Sequence, residues 1–183
     1  RARALPGGRA LCDGPRMKDR VHRGSCHCGS VAFEVEGPMR DVVACHCGQC
    51  RKTSGHYWAA SSVPHERFRL TRPDGLAWFE SSPGVQRGFC RACGASLFWD
   101  EGKGAMHFAP GPMDGPIELT VARHIFNEGA GDYYAPAGPP PTPTEGATLL
   151  DCSCLCGGVA FTLPGPAGKI TACHCTQCRK ISG

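Results

Sequence analysis

The chain has 183 residues, 41% of them hydrophobic and 8% aromatic, with a formal charge of +4. Its length excludes more than two domains of ordinary size, and 25 glycines and 16 prolines exclude an architecture of long helices. No apolar run reaches the eighteen residues of a membrane-spanning helix, and no signal-type run opens the sequence. The charge is local: Arg1, Arg3, Arg9 and Arg16 against Asp13 put +3 of it in the first sixteen residues. The near-neutral remainder gives no footprint for nucleic acid.

Residues 1–16 are rich in Arg, Gly and Pro without periodicity and are expected to be disordered. They read as a translated upstream region with Met17 the natural start, or as an Arg-rich targeting segment; no amphipathic pattern supports a transit peptide. A mainly β domain is expected over residues 17–135. Residues 30–36, SVAFEVE, alternate apolar and polar and predict a half-buried strand ended by Gly37-Pro38. Further strands are predicted over 42–44, 67–71, 77–80, 86–89, 96–99 and 105–109, separated by Gly, Pro and Asp turn signals. Residues 47–53 and 113–116 predict short helical turns. Residues 136–147 are Pro-rich and predict an extended, semi-rigid linker.

Beyond the linker the sequence repeats itself. Residues 24–55 and 152–183 share 19 identities in 32 ungapped positions, at a constant offset of 128. Residues 148–183 therefore predict a truncated second copy of the opening third of the first domain.

Fourteen cysteines require disulfides, metal or thiol chemistry. Cys26 and Cys28, Cys45 and Cys47, Cys154 and Cys156, Cys173 and Cys175 form CxC pairs, whose spacing seldom permits a relaxed disulfide within the pair. Metal ligation in a reducing cytoplasm is the better reading. In the first copy the order is Cys26-x-Cys28, Cys45-x-Cys47-x-x-Cys50, Cys90-x-x-Cys93-Gly94. A closed structural zinc takes four protein ligands and a catalytic zinc three, so seven cysteines suit one of each. The two distant pairs could staple the first and last strands of the sheet, and the compact trio would hold a second, open metal. Seven thiolates with two Zn²⁺ carry a net −3, which removes any remaining case for binding polyanions.

The segments GSCHCGSVAFEVEG, ACHCGQCRKTSG, FCRACGASLFW and RHIFNEGAGDYY together resemble the family of glutathione-dependent formaldehyde-activating enzymes and centromere protein V. The resemblance covers about residues 22–135. It implies an Mss4-like fold, a twisted antiparallel β structure stapled by zinc. It also implies that Cys26, Cys28, Cys90 and Cys93 bind a structural zinc and Cys45, Cys47 and Cys50 a catalytic one, two Zn²⁺ per complete domain. The implied reaction is that of a carbon–sulfur lyase of the S-(hydroxymethyl)glutathione synthase type, with glutathione or a similar thiol and a small aldehyde as partners. The alternative is a non-catalytic, zinc-stabilised binding module of the centromere protein V type.

Other residues have plainer readings beside the functional ones. His46, His56 or a remote side chain could close the trio's zinc as a fourth ligand, although His46, lying between two ligands, is expected to turn away, as is His27. Arg51 and Lys52, repeated as Arg179 and Lys180, could hold the carboxylate of a thiol substrate, but solvated surface charge is the default. His107 and His124 read as packing histidines, and Trp58, Trp78, Trp99, Tyr133 and Tyr134 as core or pocket wall. In the second copy Cys154, Cys156, Cys173, Cys175 and Cys178 lack a CxxCG partner, Cys152 is an extra thiol, and the fragment is too small to bury a stable core. It is expected to pack loosely.

Overall fold

A computed structural model of the chain describes residues 20–136, 149–165 and 170–183. The disorder expected of residues 1–16 and nearly all of the expected linker lie outside the described residues. Strand β1 (Val21–Ser25) pairs antiparallel with β2 (Ala32–Glu36), which pairs antiparallel with β5 (Phe68–Arg72). These three form one sheet. The second sheet has seven strands: β10 (Val121–Ile125), β3 (Val42–Cys45), β4 (Trp58–Pro64), β9 (Ala105–Phe108), β8 (Ser96–Asp100), β7 (Val85–Cys90) and β6 (Leu76–Ser82), in that spatial order. It is mixed, because β10 runs parallel to β3. The mainly antiparallel structure that the resemblance implies is observed, with this one parallel pairing: after β9, which lies between β4 and β8, the chain crosses to run alongside β3 in the same direction.

The predicted alternation of residues 30–36 holds on β2. Phe33 and Val35 face inward, while Glu34 faces out and pairs with Arg23 and Arg69. Between the sheets, Phe33, Phe98 and Phe108 pack with Val31, Val35, Val63, Leu97, Met106 and Met113. The Phe33 and Phe98 rings meet edge to face at 5.1 Å, and Phe68 reaches Phe98 in the same way at 5.2 Å. Gly24 makes this possible, since a side-chain carbon there would lie 2.5 Å from the Phe33 ring.

The helix expected near residues 47–53 is α1 (Gly48–Ser54), ended by Gly55 in the left-handed conformation. No helix forms at residues 113–116; Met113 instead makes an isolated bridge with Gly24 and buries its side chain. Tertiary pairing overrides the local turn signal at this point. Along β4 successive side chains alternate, so Val63 joins the inter-sheet core while Trp58 and Ala60 pack on the opposite face with Cys50 of α1. The helix that carries the middle cysteines therefore sits on the outer face of the seven-stranded sheet. Farther on, β11 (Leu149–Ser153) and β12 (Ala160–Pro164) form a separate hairpin, followed by α2 (Thr176–Ser182). Leu149, Val159, Phe161 and Leu163 of this part are exposed. No helix of the described residues is long and apolar enough to cross a membrane.

Candidate metal centres

Two turns of the same build present the outer cysteines. In the turn between β1 and β2, the Cys26 amide donates to Val31 O at 2.9 Å and Gly29, at φ 78°, donates back to Cys26 O. In the turn between β7 and β8, the Cys90 amide donates to Ala95 O at 2.9 Å and Gly94, at φ 75°, donates back to Cys90 O. Each glycine allows the backbone to double back under its cysteine pair. The sulfurs of Cys26, Cys28, Cys90 and Cys93 all lie within 4.8 Å of one another. Cys26 Sγ is 3.6 Å from Cys28 Sγ, which is 3.7 Å from Cys90 Sγ. A tetrahedral zinc with 2.3 Å bonds needs sulfurs about 3.8 Å apart, so the group fits that ion. The staple differs from the expected one: it joins a turn of the three-stranded sheet to a turn inside the seven-stranded sheet. Burial pushes the Cys26 thiol up to about 12, whereas hydrogen bonds from Ser30 hold Cys28 down to about 6.

The connection from β5 to β6 locks the two turns together. Gly75 N donates to Ser30 O at 3.0 Å, and Arg91 N donates to Gly75 O at 2.8 Å.

The middle cysteines gather where β3 enters α1. Cys45 ends β3, Cys47 is the helix N-cap, and Cys50 lies in the first turn. The Cys47 sulfur accepts the Cys50 amide at 3.5 Å, taking the place of the oxygen that usually caps a helix. All three sulfurs lie within 4.8 Å of one another, and among the described residues no histidine or carboxylate joins them. The donor set fits a thiophilic metal with fewer than four protein ligands. Bonding to Cys50, more than any other influence, holds the Cys45 thiol down to about 6. Cys50 is pushed up by that same bond and by burial, with Arg87 opposing.

His46 turns away from the sulfurs, as expected. It is fully buried, with Nδ1 2.7 Å from the Tyr134 hydroxyl and Nε2 2.9 Å from His124 Nδ1. His124 is thus a bonded packing histidine, and His107 packs edge to face on Trp99 at 4.8 Å. The His56 ring lies 4.1 Å from that of Tyr134, and it lines a cavity of about 540 Å³ with Tyr57, Tyr133, Cys173 and His174. His27 is exposed. Trp58 is buried beside the trio, whereas Trp78 is 42% exposed.

Arg51 and Lys52 have different surroundings. The Lys52 ammonium donates to Ser153 Oγ at 2.7 Å and lines a cavity of about 290 Å³ with Thr53, Phe79, Arg87 and Cys154 to Cys156. Arg51 Nε is buried and meets no acceptor among the described residues. Sequence patterns missed the group that does approach the sulfurs: Arg87 Nη2 lies 3.6 Å from Cys50 Sγ. A single arginine in a strand carries no spacing signal, so only the packed sheet reveals it.

The later segment repeats both local designs. Cys154 accepts the Val159 amide at 3.2 Å, as Cys26 accepts that of Val31 at 3.3 Å, and its sulfur lies 3.4 Å from Cys156 Sγ. Cys175 caps α2 through the Cys178 amide at 3.4 Å, and the sulfurs of Cys173, Cys175 and Cys178 converge. Cys154 and Cys156 gain no second cysteine pair among the described residues.

The sequence model of a family described as glutathione-dependent formaldehyde-activating enzyme matches residues 21–129 and 149–183. A Halomonas elongata protein provisionally named a glutathione-dependent formaldehyde-activating enzyme is 36% identical over 89 residues, 42% of this chain and 53% of that protein. The chain thus spans about half the length of the curated relative it matches.

Proposed function

Because the chain belongs to the family of glutathione-dependent formaldehyde-activating enzymes, we propose that it is a zinc-dependent carbon–sulfur lyase of the S-(hydroxymethyl)glutathione synthase type. It joins the thiol of glutathione, or a similar thiol, to formaldehyde or a related small aldehyde. The carbon–sulfur bond forms as the C=O π bond opens, and the thiol proton ends on the former carbonyl oxygen; the reverse reaction returns both reactants. The observation that carries this reading is the three-sulfur group of Cys45, Cys47 and Cys50, with no fourth side-chain ligand among the described residues.

Cys26, Cys28, Cys90 and Cys93 would hold the first zinc and join the two sheets. Cys45, Cys47 and Cys50 would hold the second, which when bound supplies Lewis acidity and favours the thiolate form of an incoming thiol. The chain's own residues prepare that site. Bonding to Cys50 favours the thiolate form of Cys45, the form that acts as a ligand. Trp58 packs with Cys50, Ala60 and Ala109 in a buried cluster against which Cys45, Cys47 and Trp99 also pack, and this keeps water from that side. His46, fixed by Tyr134 and His124, holds the backbone between Cys45 and Cys47 in place.

The test is NMR exchange between glutathione, formaldehyde and their adduct, with zinc-loaded protein and with Cys47→Ser. Acceleration over the spontaneous rate that disappears in the variant is expected. No acceleration by the loaded protein would sink the lyase reading and leave a zinc-stabilised binding module.

A further inference from the structure

Arg87 is 7% exposed, yet the cysteine motifs do not include it. It stands on β7, opposite Trp99 of β8 and Phe79 of β6. Its Nη2 lies 3.6 Å from Cys50 Sγ and 3.5 Å from Gln49 Oε1, and its guanidinium carbon sits 5.9 Å from the centre of the Trp58 ring. Among the described residues no carboxylate pairs with it. A buried guanidinium is unfavourable unless a counter-charge lies against it, and the atom in contact here is sulfur. Three thiolates around a divalent cation carry a net charge of −1, which one arginine neutralises.

We propose that Arg87 is a positioning residue for the three-cysteine centre, balancing its charge and donating an N–H bond to the Cys50 sulfur. Such a bond draws electron density from the thiolate. It thereby offsets the electron-rich character that three sulfurs give a metal, leaving the centre more electrophilic toward an oxygen or sulfur ligand. The planar fork lets one nitrogen reach Cys50 while the ring of Trp58 supports the cation. The inference rests on the trio holding a divalent metal, as proposed above.

The test replaces zinc by Co²⁺, whose absorption reports thiolate ligation directly. Because Cys173, Cys175 and Cys178 form a further three-sulfur group, the signal of the trio is identified by difference, as the equivalent present in wild-type protein and missing in Cys47→Ser. In Arg87→Met that signal should need about 10- to 100-fold more free Co²⁺, the usual effect of losing an outer-shell partner. Its sulfur-to-cobalt charge-transfer band should move to longer wavelength, and the four-cysteine equivalent should bind as before. Arg87→Lys, which keeps the charge, should recover part of the affinity. An unchanged affinity and band in Arg87→Met, an equal loss at both centres, or no recovery by lysine would each overturn the role of Arg87 while leaving the metal centre standing. A Co²⁺ signal that Cys47→Ser leaves unchanged would overturn the trio as a metal site and the role of Arg87 with it.

Discussion

Gly75 rests directly on Cys90: a side-chain carbon at Gly75 would lie 3.1 Å from Cys90 Sγ and 2.7 Å from Ser30 Cβ. Both neighbours belong to the paired cysteine turns, so neither can yield without moving a ligand. Gly75→Val should destabilise the domain by about 1–3 kcal/mol through overpacking and speed metal release from the four-cysteine group. Thermal unfolding and transfer of zinc to a chromophoric chelator check both. A valine variant as stable and retentive as wild type would show that this contact is slack.

The two cysteine groups should respond differently to loss of one ligand. Cys90 is fully buried and links the two sheets, and Cys90→Ser should remove most of the folding energy the metal supplies. Cys47→Ser should leave the protein folded, because a serine oxygen caps α1 as well as the sulfur does, while ending catalysis. Circular dichroism with the NMR exchange assay distinguishes them; two folded or two unfolded variants contradict the division of roles.

Tyr134 reaches from beyond β10 to the far side of the trio through its 2.7 Å bond with His46. Tyr134→Phe leaves a buried ring nitrogen without that partner and should cost about 1–2 kcal/mol. Denaturant unfolding measures it, and no loss would mean that water takes the place of the hydroxyl.

His107 should titrate below 6.5, since burial chiefly, helped by Arg40, disfavours its charged form against the opposing pull of Glu101 and Asp100. The sign follows from proton counts. The unfolded chain binds this proton more readily, so its contribution to stability is complete above about pH 6.5 and falls as pH drops toward the lower folded value. Proton NMR of the His107 ring checks it; titration at or above 6.5 would contradict the burial argument.

What the sequence could reveal followed from how local each signal was. Val31, Phe33 and Val35 alternate because β2 has one dry face and one wet face, and that pattern is readable at a distance of two residues. Residues 58–64, WAASSVP, form a strand buried on both faces by small side chains, so alternation vanishes. β10 carries Arg123 and His124 and is held by parallel pairing with β3, some eighty residues away in sequence, which no local pattern records. The cysteine groups were legible because ligand spacing is itself the chemistry. Arg87 was not, because its meaning comes from a helix and a strand meeting over Cys50.

The joined turns also have a consequence for the denatured chain. Cys28 and Cys90 are 62 positions apart, so a metal shared between them closes a long loop in any partly unfolded form that keeps it. A covalent link of that span would lower the denatured chain's entropy by the equivalent of about 4 kcal/mol. With zinc at the four cysteines, as proposed, the link is coordinative: a strong chelator should cut it where a mild reductant would not, and re-adding the metal should retie it without any choice among disulfide pairings.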